Sequence, residues 1–103
     1  MKIEWQKKAK DELQKQLTYC FREFGYLTTI RFQENLDKQV NLLKAFPYMG
    51  KIEPLLWGRS YEYRSWVVHE HFKLIYHIRE EVIYIANFWD VRREPQSLIQ
   101  ETK

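Results

Sequence analysis

The chain has 103 residues, a formal net charge of +3 and a sequence pI of about 9.0, and 45% of its residues are hydrophobic. That length suits one domain spanning residues 1–103, and the apolar content excludes global disorder. A single cysteine, Cys20, excludes a disulfide within the chain and indicates a reducing compartment. No apolar run approaches the roughly 20 residues that span a bilayer, and the first residues lack the apolar stretch of a signal peptide. A cytoplasmic location without membrane association is therefore expected.

The first half of the chain carries a helical pattern. Apolar residues at steps of three and four run from Trp5 to Phe24, and a second series runs from Ile30 to Phe46. Gly25 lies between them, where the end of a helix favours a residue that can take positive φ. Two amphipathic helices joined by so short a connection predict an antiparallel helical hairpin.

The second half carries a strand pattern. Residues 61–68, 72–78 and 82–89 are rich in aromatic and β-branched side chains and are separated by short polar breaks, which predicts an antiparallel meander. Residues 2–5 are expected to form an extended start or an edge strand, residues 47–60 a loop, and residues 96–103 a flexible tail. The order predicts an α+β fold, βααβββ, with the helical hairpin packed on one face of an antiparallel sheet.

Basic residues recur on the predicted strands. Because side chains alternate along a strand, Lys73 and His77 are expected to face away from the helices. Arg64 and the Arg92-Arg93 pair are expected to join Lys73 on the uncovered sheet face, close to Trp66. A basic surface with a nearby aromatic ring can bind a phosphate backbone or an acidic peptide, and a solvated sheet face is the alternative interpretation.

The histidines are the remaining candidates for chemistry. The segment His69-Glu70-His71 lies at a predicted turn one strand away from His77, and such a group could bind a metal or supply an acid–base catalyst. The spacing matches no recognised zinc motif, and the sequence has no Ser-His-Asp set and no phosphate-binding glycine loop. The histidines are therefore interpreted as exposed turn residues, and neither a metal nor a cofactor is expected.

Motifs in the second half resemble those of a known family. The stretch 71–78, a short acidic turn, the apolar strand 82–88 and the Arg-rich segment 92–98 are similar to the toxins of the RelE/ParE superfamily. Their fold, a helical hairpin on an antiparallel sheet, agrees with the order derived above. The resemblance implies a toxin of a type II toxin–antitoxin system that a cognate antitoxin protein neutralises.

The superfamily has two branches that differ in mechanism. ParE-like toxins inhibit DNA gyrase and often carry Arg-x-Pro-x-x-Leu after the last strand, a pattern that residues 93–98 fit. RelE-like toxins enter the ribosome and cut mRNA, and that resemblance implies catalytic roles for Arg64, Lys73 and Arg93. The chain departs from the RelE-like pattern because Trp66 replaces a second basic residue and no Tyr or His follows the last strand. The ParE-like branch is favoured, the ribosome-dependent endoribonuclease is the alternative, and a non-toxic interaction domain is the third possibility.

The ParE-like interpretation predicts a binding surface for the target or the antitoxin. Its members are Arg64, Trp66, Lys73, His77, Arg92 and Arg93.

Overall fold

The computed structural model describes residues 1–102, which form two helices, a 3₁₀ helix and five strands. Their order is β1 (Lys2–Trp5), α1 (Lys7–Ala45), β2 (Lys51–Ile52), the 3₁₀ helix (Pro54–Leu56), β3 (Arg64–His69), β4 (Phe72–Arg79), β5 (Val82–Asp90) and α2 (Pro95–Glu101). One sheet contains all five strands in the order β1-β5-β4-β3-β2. The α+β class and the antiparallel meander of β3, β4 and β5 are confirmed. Within residues 1–102, no helix has the length and apolar character needed to cross a membrane.

The α1 helix folds back on itself at Gly25. If its 39 residues were straight they would extend about 58 Å, whereas the longest dimension of the molecule is 40 Å. Gly25 has φ 85° and ψ −179°, a conformation that is open essentially to glycine alone. Ala9 from the first limb (residues 7–24) and Leu36 and Leu43 from the second limb (residues 26–45) are buried in one core. The predicted helical hairpin is therefore confirmed.

The strand β1 differs from the expected antiparallel arrangement. It runs parallel to β5, with Lys2 opposite Val82 and Trp5 opposite Ile85. Parallel strands need a long crossover rather than a tight turn, and almost the whole chain separates β1 from β5. No short connection therefore constrains the direction of β1, so periodicity alone could not reveal it.

Both faces of the sheet are covered. On the helix side, α1 packs over a core that includes Leu74, Tyr76 and Ile83. On the far side, a second core is formed by Leu56, Tyr63, Ile75, Trp89 and Leu98. The expectation that this far face is open was wrong, because the segment between β2 and β3 and the C-terminal helix both fold over it.

The C-terminal segment is ordered by contacts with that far face. Leu98 of α2 is fully buried, and the guanidinium of Arg59 donates hydrogen bonds to the carbonyls of Ile99 and Thr102. The prediction of a flexible tail was therefore wrong for residues 96–102, and Lys103 lies outside the described residues. A short polar segment with one buried leucine carries too little periodicity to predict a docked helix.

Candidate functional site

Arg64 and Lys73 lie on opposite faces of the sheet. Arg64 is opposite Tyr76, which packs in the core under α1, whereas Lys73 is opposite Trp89, which packs in the far-side core. Directly opposed residues on neighbouring strands share a face. The predicted convergence of these cations was therefore wrong, because β3 turns Arg64 and Trp66 towards the helices together with the buried Val68.

Arg64 holds the connection between α1 and β2. Its guanidinium donates hydrogen bonds to the carbonyl of Gly50 at 2.8 Å and to the carboxylate of Glu62 at 3.0 Å. It also lies 5.3 Å from the centre of the Tyr48 ring. These contacts fix the position of the Arg64 guanidinium beside the edge strand β2.

Lys73 neutralises a buried carboxylate. It forms an ion pair with Glu53, of which only 2% is exposed. The other carboxylate oxygen of Glu53 accepts a hydrogen bond of 3.2 Å from the backbone N–H of Leu55 at the start of the 3₁₀ helix. Because a buried carboxylate needs a counter-charge, Lys73 has a structural partner on the face where a phosphate was expected.

Arg93 and Arg92 also have carboxylate partners. Arg93 pairs with Glu101 of α2 and lies 4.5 Å from the centre of the Trp89 ring. Burial raises the pKa of Glu101, but hydrogen bonds from Arg93 and Lys8 outweigh burial and leave that pKa below its usual range. The hydrogen bond from Arg92 likewise lowers the pKa of the Asp90 carboxyl.

His77 is buried, and Trp66 is half-buried against the core under α1. His77 is 2% exposed, and its ring stacks on Tyr61 with 4.0 Å between centres. Burial, aided by the charge of Arg79, lowers the pKa of His77 and favours a neutral imidazole at pH 7. The indole N–H of Trp66 donates to the side chain of Gln39 in α1 at 3.0 Å. The expectation that His77 is available to a partner was wrong, because its ring is buried, and the place of the half-buried Trp66 in a binding surface stays a prediction.

Sequence reasoning missed a groove of about 510 Å³ between the α1 hairpin and the turn joining β3 to β4. We call it the hairpin groove. It is lined by Gln16, Tyr19, Cys20, Phe24, Thr28, Arg31, Phe32, Asn35, His69, His71, Phe72 and Arg92. Among the residues that line it there is no carboxylate, whereas two arginines and two histidines are present. The groove therefore offers an apolar interior beside side chains that carry no negative charge.

Aromatic rings form the floor and the rim of the hairpin groove. Phe32 packs edge-to-face on Phe72 with 6.0 Å between ring centres and lies 5.5 Å from His69. At the rim, Tyr19 and Phe24 are 49% and 62% exposed. One feature of the sequence indicates the groove: more large apolar residues lie around Gly25 than a two-limbed hairpin can bury. Within residues 1–102, no group of three or more His, Cys, Asp or Glu residues is placed to hold a metal.

Comparison with known proteins decides the family. The family described as "ParE toxin of type II toxin-antitoxin system, parDE" matches residues 3–95. The chain belongs to the ParE toxin family. The predicted superfamily and the favoured branch are therefore confirmed.

A solved structure is similar to this ParE-family chain. It is titled "Chromosomal ParDE TA system from P. aeruginosa", and the similarity has a TM-score of 0.71 over 88% of this chain and 96% of that chain. The two sequences are 17% identical, so this similarity supports the fold alone. No curated protein matches the chain.

Proposed function

We propose that this ParE-family toxin stops bacterial growth by binding DNA gyrase in the cytoplasm, and that a cognate acidic antitoxin neutralises it. The observation that carries the choice of binding over mRNA cleavage is the location of Arg64 and Lys73 on opposite faces of the sheet. Cations that stabilise a scissile phosphate must be aimed at one developing charge. Two cations separated by the thickness of the sheet do not meet that requirement.

The partners of the three basic residues support the same choice. Arg64 contacts Glu62 and a backbone carbonyl, Lys73 contacts Glu53, and Arg93 contacts Glu101. His77 on the far face is also a poor candidate for acid–base catalysis, because its ring is buried and its pKa is lowered. A general acid or base must reach its proton through a hydrogen bond, which burial under Tyr61 hinders.

The hairpin groove is the surface that we assign to the antitoxin. Its interior is apolar, its lining includes Arg31 and Arg92, and no carboxylate lines it among the described residues. A leucine or an aromatic side chain of the antitoxin would fill the interior, while an acidic neighbour would lie near Arg31, because Arg92 is already paired with Asp90. Apolar anchors in a pocket supply most of the affinity of such interfaces, and complementary charge guides association.

The antitoxin assignment is tested by co-purification with the protein encoded beside this chain. Phe24→Asp puts an unpaired charge against the groove and should abolish capture of a tagged antitoxin. The matched control is Phe46→Asp, because Phe46 is 61% exposed and does not line the groove. Equal capture of both variants would contradict the assignment.

The target is tested by induced expression in a bacterium, followed by two measurements. The proposal expects growth arrest, loss of negative supercoiling in a reporter plasmid and intact mRNA 5′ ends. Cleavage of mRNA at ribosomal A-site codons would favour the endoribonuclease. Unaffected growth would favour a non-toxic interaction domain.

A further inference from the structure

Two aromatic rings at the sheet edge next to β2 are strongly exposed. Trp57 is 77% exposed and Tyr48 is 62% exposed. Trp57 follows the 3₁₀ helix in an extended conformation, and Gly58 at φ 83° turns the chain immediately after it. The backbone therefore holds the indole away from the core. Grouped apolar exposure of this kind marks interaction surfaces.

The two rings are connected along the protein surface. Trp57 lines a groove of about 250 Å³ together with Ile52, Tyr61 and Glu62. Ile52 is paired with Arg64 across β2 and β3, and Glu62 accepts a hydrogen bond from Arg64. The Arg64 guanidinium in turn lies over the Tyr48 ring. We call Tyr48, Lys51, Trp57, Tyr61 and Arg64 the edge strip. It wraps around the edge strand β2, because Arg64 is on the helix side of the sheet whereas Lys51, opposite Ser65, is on the far side.

Charge on the edge strip is positive. Lys51 and Arg64 belong to it; Glu62, a carboxylate of the neighbouring groove, offsets the charge of Arg64, so the positive balance of the strip comes from Lys51. Lys51 is exposed on the two-residue strand β2. Arg79 adds a further cation beyond Tyr61, where it donates a hydrogen bond of 2.9 Å to the phenol oxygen.

We propose that the edge strip binds single-stranded nucleic acid. Unpaired bases stack on exposed aromatic rings and on guanidinium planes, and phosphates pair with nearby lysines and arginines. Trp57 and Tyr48 supply the rings, the Arg64 guanidinium lies 5.3 Å from the centre of the Tyr48 ring, and Lys51 supplies an exposed ammonium for a phosphate. Duplex binds poorly because its bases already stack on one another. Binding of single-stranded nucleic acid is independent of the proposed gyrase inhibition, because it requires no second protein.

Fluorescence anisotropy with short fluorescein-labelled oligothymidylate and oligouridylate tests the proposal on the full chain. Both single strands should bind, and a labelled duplex of equal length should bind at least about tenfold more weakly. Trp57→Ala and Tyr48→Ala should each weaken single-strand binding by about tenfold, the loss expected for one stacked base. The matched control is Phe21→Ala, since Phe21 is 56% exposed but lies on the α1 hairpin; it should bind like the parent.

Salt dependence measures the contribution of the cations. Affinity should fall between about 50 and about 200 mM KCl, and Lys51→Ala should reduce the slope of log K against log salt by about 0.7. The proposal is overturned if neither single strand binds at the lower salt concentration, or if the duplex binds as well. It is also overturned if Trp57→Ala leaves single-strand affinity unchanged in a variant whose circular dichroism matches the parent. If the parent chain binds neither single strand and Trp57→Ala loses gyrase inhibition, the edge strip is a protein interface instead.

Discussion

Replacing Lys73 with Met should destabilise the fold by removing the counter-charge of Glu53. The carboxylate of Glu53 is 2% exposed, and the side chain of Lys73 is 16% exposed. Removing one partner of a fully buried ion pair costs roughly 3–5 kcal/mol, because the other charge stays buried and unpaired. The partial access of Lys73 to water reduces that cost, so we expect about 3 kcal/mol.

Removing the carboxylate of the pair instead of the ammonium should lower the free energy of unfolding by less. In Glu53→Gln, the side-chain amide oxygen can still accept the hydrogen bond from the Leu55 N–H, and the Lys73 ammonium is near enough to the surface to be hydrated. We expect a loss of about 1 kcal/mol. In the double variant neither charge remains, so its loss should be smaller than the sum of the single losses by at least about 1.5 kcal/mol.

Urea unfolding followed by circular dichroism measures these free energies. The matched control is Lys51→Met, the same substitution at an exposed lysine of β2, which should change stability by less than about 0.5 kcal/mol. Growth inhibition by the folded double variant should match that of the parent. Additive losses, or a stable double variant without toxicity, would refute the structural role of Lys73.

Three further predictions concern Tyr76, Gly25 and His77. The Tyr76 hydroxyl accepts from the Gly50 N–H at 3.0 Å and donates to the Pro47 carbonyl at 2.8 Å, so Tyr76→Phe should lower the urea-derived stability by about 1–3 kcal/mol. Gly25→Ala should cost about 1–3 kcal/mol from backbone strain alone, measured in the same way, since an added Cβ meets no atom within 4 Å. The pKa of His77 is lowered in the folded protein from 6.5, so the unfolded state binds more protons and stability should fall as pH drops below about 6.5. The urea midpoint should therefore depend less on pH in His77→Phe than in the parent between about pH 7.5 and about pH 5.5.

Each of these predictions has a control and a contradicting result. Tyr19→Phe removes a hydroxyl from a half-exposed ring and should be nearly neutral, so equal losses at positions 19 and 76 would contradict the buried network. A neutral Gly25→Ala would mean that the hairpin bends without positive φ. For the pH effect, His71→Gln is the control at a more exposed imidazole, and an unchanged pH dependence in His77→Phe would refute the role of burial.

Sequence periodicity predicted the elements of this fold well because local patterns encode them. The helical hairpin follows from two apolar series around Gly25, and the meander follows from three runs of strand-forming residues. The turn between β4 and β5 was harder to assign, because Glu80 and Glu81 adopt φ of 52° and 63° in place of the usual glycine or asparagine. The helix α2 and the parallel strand β1 depend on contacts between distant segments, and such contacts leave weaker signals in the sequence.

The candidate site could not be predicted to the same degree. Alternation grouped Arg64 with Trp66 correctly, but it could not show which face of β3 meets α1. Nor could it reveal that Glu53 and Glu101 reach across the fold to bind Lys73 and Arg93. The hairpin groove requires the tertiary packing of α1 against the turn after β3, which no single motif encodes.

Titration of purified gyrase with the full chain tests the central claim most directly. Conversion of relaxed plasmid to the supercoiled form is measured on agarose gels, and the same preparation is added to translating ribosomes, where primer extension detects cut mRNA. Our account predicts dose-dependent loss of supercoiling with uncut mRNA. Normal supercoiling together with cleaved mRNA would contradict it.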